Sequence, residues 1–432
     1  MELAPPRGTA DLLPPRSEVM LDLYERSHRL ARLYGYRYVE TPVFESTDLF
    51  ARTSGETSDV VTKEMYTFED KKGRSLTLRP ENTASVVRAY LSHAHDLGSP
   101  FKAYYVGSQF RHGRPQAGRL REFRQFGVEV LGVEGPEADV EVIELGNQFL
   151  RDRGLRDQTL HLNSIGDATC RPAYRERLVA HFEPYLEQLD EDCRTRLRTN
   201  PLRVFDCKVD GGKSFVLAAP TIVDNLCEAC AEHFSQVRRG LDEVGVTYEL
   251  DHRLVRGLDY YTRTAFEWIS GALESAQSTI NAGGRYDGLA EQLGGPPTPG
   301  VGFAMGLDRV ALAADKEGVP APPSKAPICF VVSVGDDARG AALDLLAALR
   351  DAGVPATRSY EARPMKAQLK MAHRSGAAYA AILGEREIAE VAVTLRHMAD
   401  GEQETIPVDE AVQYLQVTVQ RETVEPTSEE HA

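Results

Sequence analysis

No stretch of this chain approaches the roughly 20 consecutive apolar residues that a membrane-spanning helix needs. The opening segment, MELAPPRGTADLLPPR, lacks the apolar core of a secretory signal. Cysteine is sparse: six, scattered over 432 residues, do not make the framework of a disulfide-stapled domain, so a reducing cytoplasm is the expected setting. A basic surplus is missing too. The 50 Lys and Arg against 65 Asp and Glu leave a net charge of −15, which argues against a general polyanion binder. The glycine-rich segments have neither the Lys-Ser/Thr ending of a Walker loop nor the Rossmann spacing.

What is present is ordinary soluble-globular composition, 42% hydrophobic and 27% charged, at a length that calls for two domains and an insert. Two basic islands interrupt the acidic whole. Residues 107–126 hold five arginines against Glu122 alone, and residues 350–374 hold six Lys/Arg against Asp351 and Glu361. Such islands suit a protein that touches nucleic acid at chosen spots.

Periodicity predicts a helix over 17–34 ended by Gly35, then short strands in YRYVETPVF, MYTFED, SLTLRP, FKAYYVGSQF and FRQFGVEVLG, with helices near 82–92 and 136–153. This irregular order indicates an antiparallel-rich α+β domain, not a doubly wound one. Residues 168–245 are charged and helical in spacing, an expected insertion between a first part of that domain, 1–167, and a second, 246–316, where strands resume at 247–256 and 260–269. A Pro-rich linker at 317–326 leads to βα alternation over 327–420, a small α/β domain. The acidic end, 421–432, is expected to be disordered.

Five segments carry chemistry. In Leu78-Arg79-Pro80-Glu81-Asn82-Thr83, a carboxylate and a hydroxyl two residues apart suit an ammonium group. The alternative there is a helix cap from Asn82 or Thr83. The stretch from Phe110 to Glu129 reads as a hairpin with arginines at its mouth, whose planar forks suit phosphate. On its return strand Gln125, Gly127 and Glu129 share a face, the glycine leaving floor space for a ligand, while Phe123, Phe126 and Val128 bury the other. RGLDYYTRT, from Arg256, joins an arginine to a tyrosine pair suited to a ring. AGGRYDGL, 282–289, and GVGFAMGLDRV, 300–310, add glycines that let a ligand approach backbone, with Arg309 placed to pair with phosphate or stack on a base.

Together these segments resemble the histidyl-tRNA synthetase family of class II aminoacyl-tRNA synthetases, over essentially the whole chain. YVETPVFESTDLF is similar to the first class II motif, the arginine hairpin to the second and GVGFAMGLDRV to the third, while RGLDYYTRT and AGGRYDGL resemble the pair peculiar to histidyl enzymes. The resemblance implies an antiparallel class II catalytic sheet with a helical insert and a C-terminal α/β anticodon-binding domain. It implies ATP and Mg²⁺, L-histidine and tRNA(His), and a homodimer. By position it puts Arg111 on the α-phosphate, Arg309 and Arg119 on the rest of ATP, and Glu81, Thr83 and Gln125 on the histidine ammonium. Glu129 and Tyr261 would read the imidazole with Tyr260 shaping the pocket, Arg256 would bridge carboxylate and α-phosphate, and Arg114 and Gln116 would meet the tRNA acceptor end. The catalytic trio so implied is Arg111, Arg256 and Gln125.

The chain departs from that pattern where Gly113 replaces a usual Glu, Asn82 a common Gly and Arg124 a frequent His. Cys227-Glu228-Ala229-Cys230, with Cys193 and Cys207, offers a zinc set by count, although a lone CxxC in a helical insert is more often structural thiol, and no protein-held metal is assigned. The rival functions are a catalytically altered paralogue, such as a regulatory subunit of histidine biosynthesis on the same scaffold, and a tRNA-independent adenylate-forming ligase.

Overall fold

Helix α1 (Arg16–Leu33) buries Met20, Leu23, Ser27 and Leu30 at alternating three- and four-residue steps. It stops where Gly35 takes φ +79°. There the Gly35 N–H donates to Arg32 O at 3.0 Å and the Tyr36 N–H to Ala31 O at 2.9 Å, the paired bonds of a left-handed cap that a Cβ would strain. The turn delivers the chain into a sheet. The protein is seen as a computed structural model that describes residues 3–54, 63–116, 118–205, 207, 209–274, 278–322 and 326–424.

The first of two units, Met1–Pro322, carries strands β1 (Arg37–Tyr38), β2 (Phe44–Ser46), β3 (Tyr66–Glu69), β4 (Ser75–Leu78), β5 (Phe101–Phe110), β6 (Glu122–Leu131), β7 (Gln158–Ser164), β8 (Glu249–Leu250), β9 (Thr262–Ser270), β10 (Thr279–Arg285) and β11 (Gly300–Gly306). After α1 its helices are α2 (Thr47–Ser54), α3 (Thr83–Leu97), α4 (Glu137–Asp152), α5 (Arg171–Phe182), α6 (Glu191–Thr199), α7 (Ser214–Leu217), α8 (Glu228–Glu243), α9 (Leu289–Gln292) and α10 (Leu307–Lys316). Eight strands form one sheet in the order β1-β5-β6-β11-β10-β9-β7-β8, with β2-β4-β3 as a small second sheet. All pairs from β5 to β7 across the large sheet are antiparallel, and the outer β1–β5 and β7–β8 pairs are parallel.

Alternation sorts the two faces of this sheet. Phe126, Val128 and Val130 join Phe266, Trp268 and Phe303 in a core covered by α1, α4, α8 and α10. The opposite face meets α3 and holds Tyr105, Tyr260, Tyr261 and Tyr286. Helices α5 to α7 have their own core around Tyr174, Phe182, Val204 and Val216. By contrast, α8 turns Phe234, Val237 and Leu241 into the main core, so the charged segment 168–245 serves two cores.

Several sequence expectations change here. The strand expected over 247–256 shrinks to two residues, because the Asp251 carboxylate accepts the Arg253 N–H at 3.0 Å and turns the chain. The following strand starts at Thr262, which leaves Tyr260 and Tyr261 in the preceding loop. The glycine-rich segments, which showed no strand signal, are the central strands β10 and β11.

The second unit, Pro323–Ala432, comprises β12 (Cys329–Ser333), α11 (Ala338–Asp351), β13 (Ala356–Arg358), α12 (Met365–Arg374), β14 (Tyr379–Leu383), α13 (Glu385–Ala389), β15 (Ala392–His397), β16 (Gln403–Pro407) and α14 (Val408–Val424). Its sheet order is β13-β12-β14-β15-β16, the first three strands parallel and the last two antiparallel. Of these, α13, β16 and α14 have no counterpart in the sequence reading. Helix α14 runs to Val424, and the rest of the expected disordered tail, 425–432, lies outside the described residues. Among the described residues no helix is long and apolar enough to cross a membrane.

Candidate active site

The N-terminus of α3 builds one wall of a cavity. Glu81 accepts the N–H of Thr83 at 2.7 Å and of Ala84 at 3.1 Å, satisfying donors that a helix start leaves open. Neither side chain suggested as a cap does this work. Asn82 takes the Thr41 hydroxyl at 2.7 Å, and the Thr83 hydroxyl donates to Glu129 at 2.7 Å. Glu81 is therefore fixed in place while still lining the cavity. Burial pushes its carboxyl above the usual range, opposed by those backbone hydrogen bonds and by Arg111.

Behind Thr83 stands Glu129, fully buried on β6, with its second oxygen accepting the Tyr286 hydroxyl. The cavity as it stands is lined by Thr83 and Gln125 but not by Glu129. Gly302 lies opposite Glu129 in the β6–β11 register, and a side chain there would overlap the carboxylate. Gly127 has a different job from the one its sequence pattern suggests: Tyr105, not a ligand, fills the space above it. Phe123 also changes sides. It shares the cavity face, and the Arg111 guanidinium lies 5.4 Å from its ring centre.

Burial pushes the Glu129 carboxyl up to about 8, although hydrogen bonds from Tyr286 and Thr83 pull it down. Such a group binds its proton more tightly folded than unfolded. The stability it contributes is fully present below the ordinary carboxylate range and is lost as pH rises through about 8. The thermal midpoint of the ligand-free chain should therefore fall across that window, and fall less in Glu129→Gln. Superimposable pH profiles for the two proteins would show that Glu129 titrates normally.

The other end of the cavity is cationic. Arg111, Arg119, Arg124, Arg256 and Arg309 line it against Glu81, Glu267 and Asp308. Arg111 is braced by Pro80 O at 2.8 Å, and Arg309 by Gly118 O at 3.0 Å and Thr279 O at 2.7 Å. Burial lowers the guanidinium pKa of Arg309, and Arg111 and Arg119 lower it further. With Arg111 and Arg309 held by carbonyls and Arg119 paired to Glu64, this cluster of cations is poised for a polyanion. Arg124, by contrast, is tied to Asp308, through its N–H at 2.7 Å and its guanidinium at 3.3 Å.

Between the two ends, Arg256 lies 5.1 Å from the centre of the Tyr261 ring and donates to Glu267. Burial alone would lower its pKa, but Glu267 and Tyr261 more than offset this and hold it above the usual value. Tyr260 and Tyr261 have ring centres 4.6 Å apart, with Tyr286 beyond them. The cavity holds about 370 Å³, within the range of small-molecule sites.

The structure thus brings Glu81, Thr83, Arg111, Arg119, Gln125, Arg256, Tyr260, Tyr261 and Arg309 to one cavity. Arg114 and Gln116 stay outside it, exposed in the hairpin loop, where the Gln116 and Arg119 backbones pair at 3.1 and 2.9 Å. Sequence reasoning missed Tyr286 and Glu267. The Gln125 carbonyl oxygen is buried with no partner among the described residues, so it offers a hydrogen bond to a ligand, whereas the equally unpartnered Asn281 amide packs beside Gly146 and Trp268 on the core side of the sheet. Arg285, central to AGGRYDGL, is a structural ion: its Nε lies 3.1 Å from an Asp139 oxygen, and Asp139 also faces His233 at 3.4 Å. The four cysteines Cys193, Cys207, Cys227 and Cys230 do not converge. The first two meet Asp190 and Asp210, and the last two meet Asp167 and Cys170.

Comparisons with known proteins follow the same outline. The profile described as histidyl-tRNA synthetase matches residues 8–310, and that of an anticodon binding domain matches residues 328–418. The histidine–tRNA ligase of Moorella thermoacetica is 49% identical over 410 residues, covering 95% of this chain and 97% of that protein. That of Pelotomaculum thermopropionicum is 48% identical over 411 residues, covering 95% and 96%. The apo histidyl-tRNA synthetase of S. aureus aligns with a TM-score of 0.82 at 40% identity, covering 96% of this chain and 100% of that one.

Proposed function

The chain belongs to the histidyl-tRNA synthetase family, and from that premise we propose how its residues divide the work of a histidine–tRNA ligase. The enzyme joins histidine to ATP as histidyl-adenylate, releasing pyrophosphate, and then transfers histidine to the 3′ end of its tRNA, releasing AMP. The observation that carries the division of labour is that one cavity joins Glu81, Thr83 and Gln125 to the arginines Arg111, Arg119, Arg256 and Arg309.

Glu81, Thr83 and Gln125 receive the histidine ammonium; Glu81 is held ready by the α3 backbone, and Gln125 has an unpartnered oxygen. Glu129 and Tyr261 read the two imidazole nitrogens, and Tyr260 packs the ring. Requiring both nitrogens rejects amino acids that lack them, because the buried polar groups would then stand unpaired. Glu129 reaches the ring through the layer now closed by Thr83. Arg111 grips the α-phosphate, and Arg119 and Arg309 the remainder of ATP. Arg256 bridges the histidine carboxylate and α-phosphate, where charge builds as oxygen attacks phosphorus.

Mg²⁺ is the companion of ATP in this scheme, offsetting charge on the departing pyrophosphate. Glu267 and Asp308, the carboxylates at that end, are engaged by Arg256 and Arg124. With those carboxylates paired, phosphate oxygens and water would supply most of the ion's ligands, as is usual for Mg²⁺. Arg114 and Gln116 meet the tRNA acceptor end, their exposure leaving them open to a macromolecule. Gly113 lacks the usual carboxylate, but Glu64 pairs with the neighbouring Arg119.

A homodimer is inferred from the exposed Tyr38, Val43, Phe44 and Phe68, with the Phe44 and Phe68 ring centres 6.1 Å apart. A cytoplasmic setting agrees with six free cysteines. The catalytic parts 1–167 and 246–316 flank the insertion 168–245, and 327–420 grips the anticodon. Intact pocket arginines and the second unit favour this reading over a regulatory paralogue or a tRNA-independent ligase.

Truncation after Pro322 tests it, since each unit has its own core. Histidine-dependent ATP–pyrophosphate exchange should persist within about tenfold, while charging of tRNA(His) falls by about a hundredfold or more, the loss of a macromolecular contact of a few kcal/mol. Equal loss of both activities in a folded protein would refute anticodon gripping as the unit's role. Absence of exchange in the full chain would refute the cavity assignment.

A further inference from the structure

Among the described residues, thiols and carboxylates gather at two places outside the adenylation cavity. In the first, Asp167, Cys170, Cys227 and Cys230 have ligand atoms all within 4.8 Å of one another. The Cys170 and Cys230 sulfurs are 3.9 Å apart, and Asp167 Oδ1 lies 3.6 Å from Cys170 Sγ and 4.0 Å from Cys227 Sγ. A tetrahedral ion with zinc–sulfur bonds of about 2.3 Å separates its ligands by about 3.5–3.8 Å. These separations match that cage and are far too long for a disulfide of about 2.05 Å. We propose that Asp167, Cys170, Cys227 and Cys230 form a structural zinc site that clips the insert to the catalytic domain.

The local sequence supplies two ligand pairs of equal spacing, Asp167-x-x-Cys170 and Cys227-x-x-Cys230. Cys170 and Cys227 are the N-cap residues of α5 and α8, so two helix N-termini point positive ends at the sulfurs and favour thiolates. On binding, Zn²⁺ displaces three thiol protons to solvent. Three thiolates and one carboxylate around the ion leave a net charge of −2. Arg263, whose Nε is 3.8 Å from Asp167 Oδ2, and Arg171, next to Cys170, offset it. Three sulfurs select zinc over Mg²⁺ or Ca²⁺.

The position gives the ion a purpose. The first ligand pair follows the end of β7, and the second starts α8, which packs in the main core. Cys170 and Cys230 are 60 residues apart, so the clip closes a long loop whose entropy otherwise opposes folding. The same root is tied to the site: Ile165 N–H donates to Arg263 O and Arg263 N–H to Gly166 O, each at 2.7 Å. Arg171 donates to the Tyr261 carbonyl. The second cluster, Asp190, Cys193, Cys207 and Asp210, is closed by its own contacts: Lys213 sits 2.6 Å from Asp210, and the Cys207 thiol is 3.1 Å from Asp190.

The test is elemental analysis of the full-length, untagged chain, followed by cobalt substitution. Wild type should carry about one zinc per chain, and its cobalt form should show the intense visible bands of a tetrahedral thiolate site. Cys227→Ser, at a partly exposed position, should lose most of the metal, whereas Cys193→Ser should keep it. Chelation should lower the Tm of wild type reversibly and leave that of Cys227→Ser unchanged. Should Cys227→Ser fail to fold, the cobalt spectrum and stoichiometry of wild type decide alone. A wild-type chain that takes up no zinc, or metal that survives Cys227→Ser and is lost from Cys193→Ser, would overturn the proposal.

Discussion

Arg256→Ala lowers kcat for histidine-dependent pyrophosphate exchange by about 10²–10³-fold, the scale of removing one donor aimed at developing charge, and leaves histidine binding within a few-fold. The split follows from where the guanidinium sits, on the Tyr261 ring and against Glu267, between the ammonium end and the phosphate end of the cavity. A charge placed there gains most when the carboxylate oxygen meets phosphorus, so its loss falls on the transition state more than on the ground state. Alanine also strands Glu267, so Arg256→Lys is the companion variant: it keeps a cation but not the planar fork. Pre-steady-state measurement of adenylate formation separates the two effects. A rise in KM with an unchanged chemical rate would make Arg256 a binding residue.

Glu129→Gln should cost about 2–4 kcal/mol in kcat/KM for histidine, roughly 30- to 1000-fold, while KM for ATP stays within a few-fold. Alanine is the wrong probe here. It would leave the Thr83 and Tyr286 hydroxyls, both donors to Glu129, without an acceptor in a buried site, so lost activity could reflect a loosened fold. Glutamine resembles the protonated carboxyl, with one carbonyl acceptor and one donor, and removes the ability to ionise against an imidazole N–H. Thermal stability near neutral pH should be retained. Wild-type kinetics in the glutamine variant would remove Glu129 from the imidazole pocket.

Signals that were local in sequence survived in the structure, and those that depended on distant partners did not. Alternation along β6 places Gln125 and Glu129 on one face because the strand is long and regular. The same alternation puts Phe123 on that face too; its apolar identity points to the core, whereas it lies on the cavity side as a shelf for Arg111. Tyr286 was missed because its partner Glu129 is 157 residues away, and the structural role of Arg285 was not legible because Asp139 is 146 away. Glu267 sits in an ordinary-looking strand and matters only once Arg256 folds over it. The polar edge strand β16 has an almost wholly exposed burial pattern and gives no periodic apolar signal.

The packing around Glu129 bears on how the pocket can change over generations. Its carboxylate is enclosed by groups from separate segments: Thr83 on α3, Tyr286 just after β10, and the bare backbone of Gly302 on β11. Tyr105 fills the neighbouring space over Gly127. Adding a side chain at 302 drives it into the carboxylate, and shortening Glu129 alone strands two donors. Either of these two steps is therefore downhill in stability before any new side-chain preference is gained. On the role proposed for Glu129, a pocket for a different side chain would call for changes at several of these positions together, because they close on one carboxylate from three separate segments.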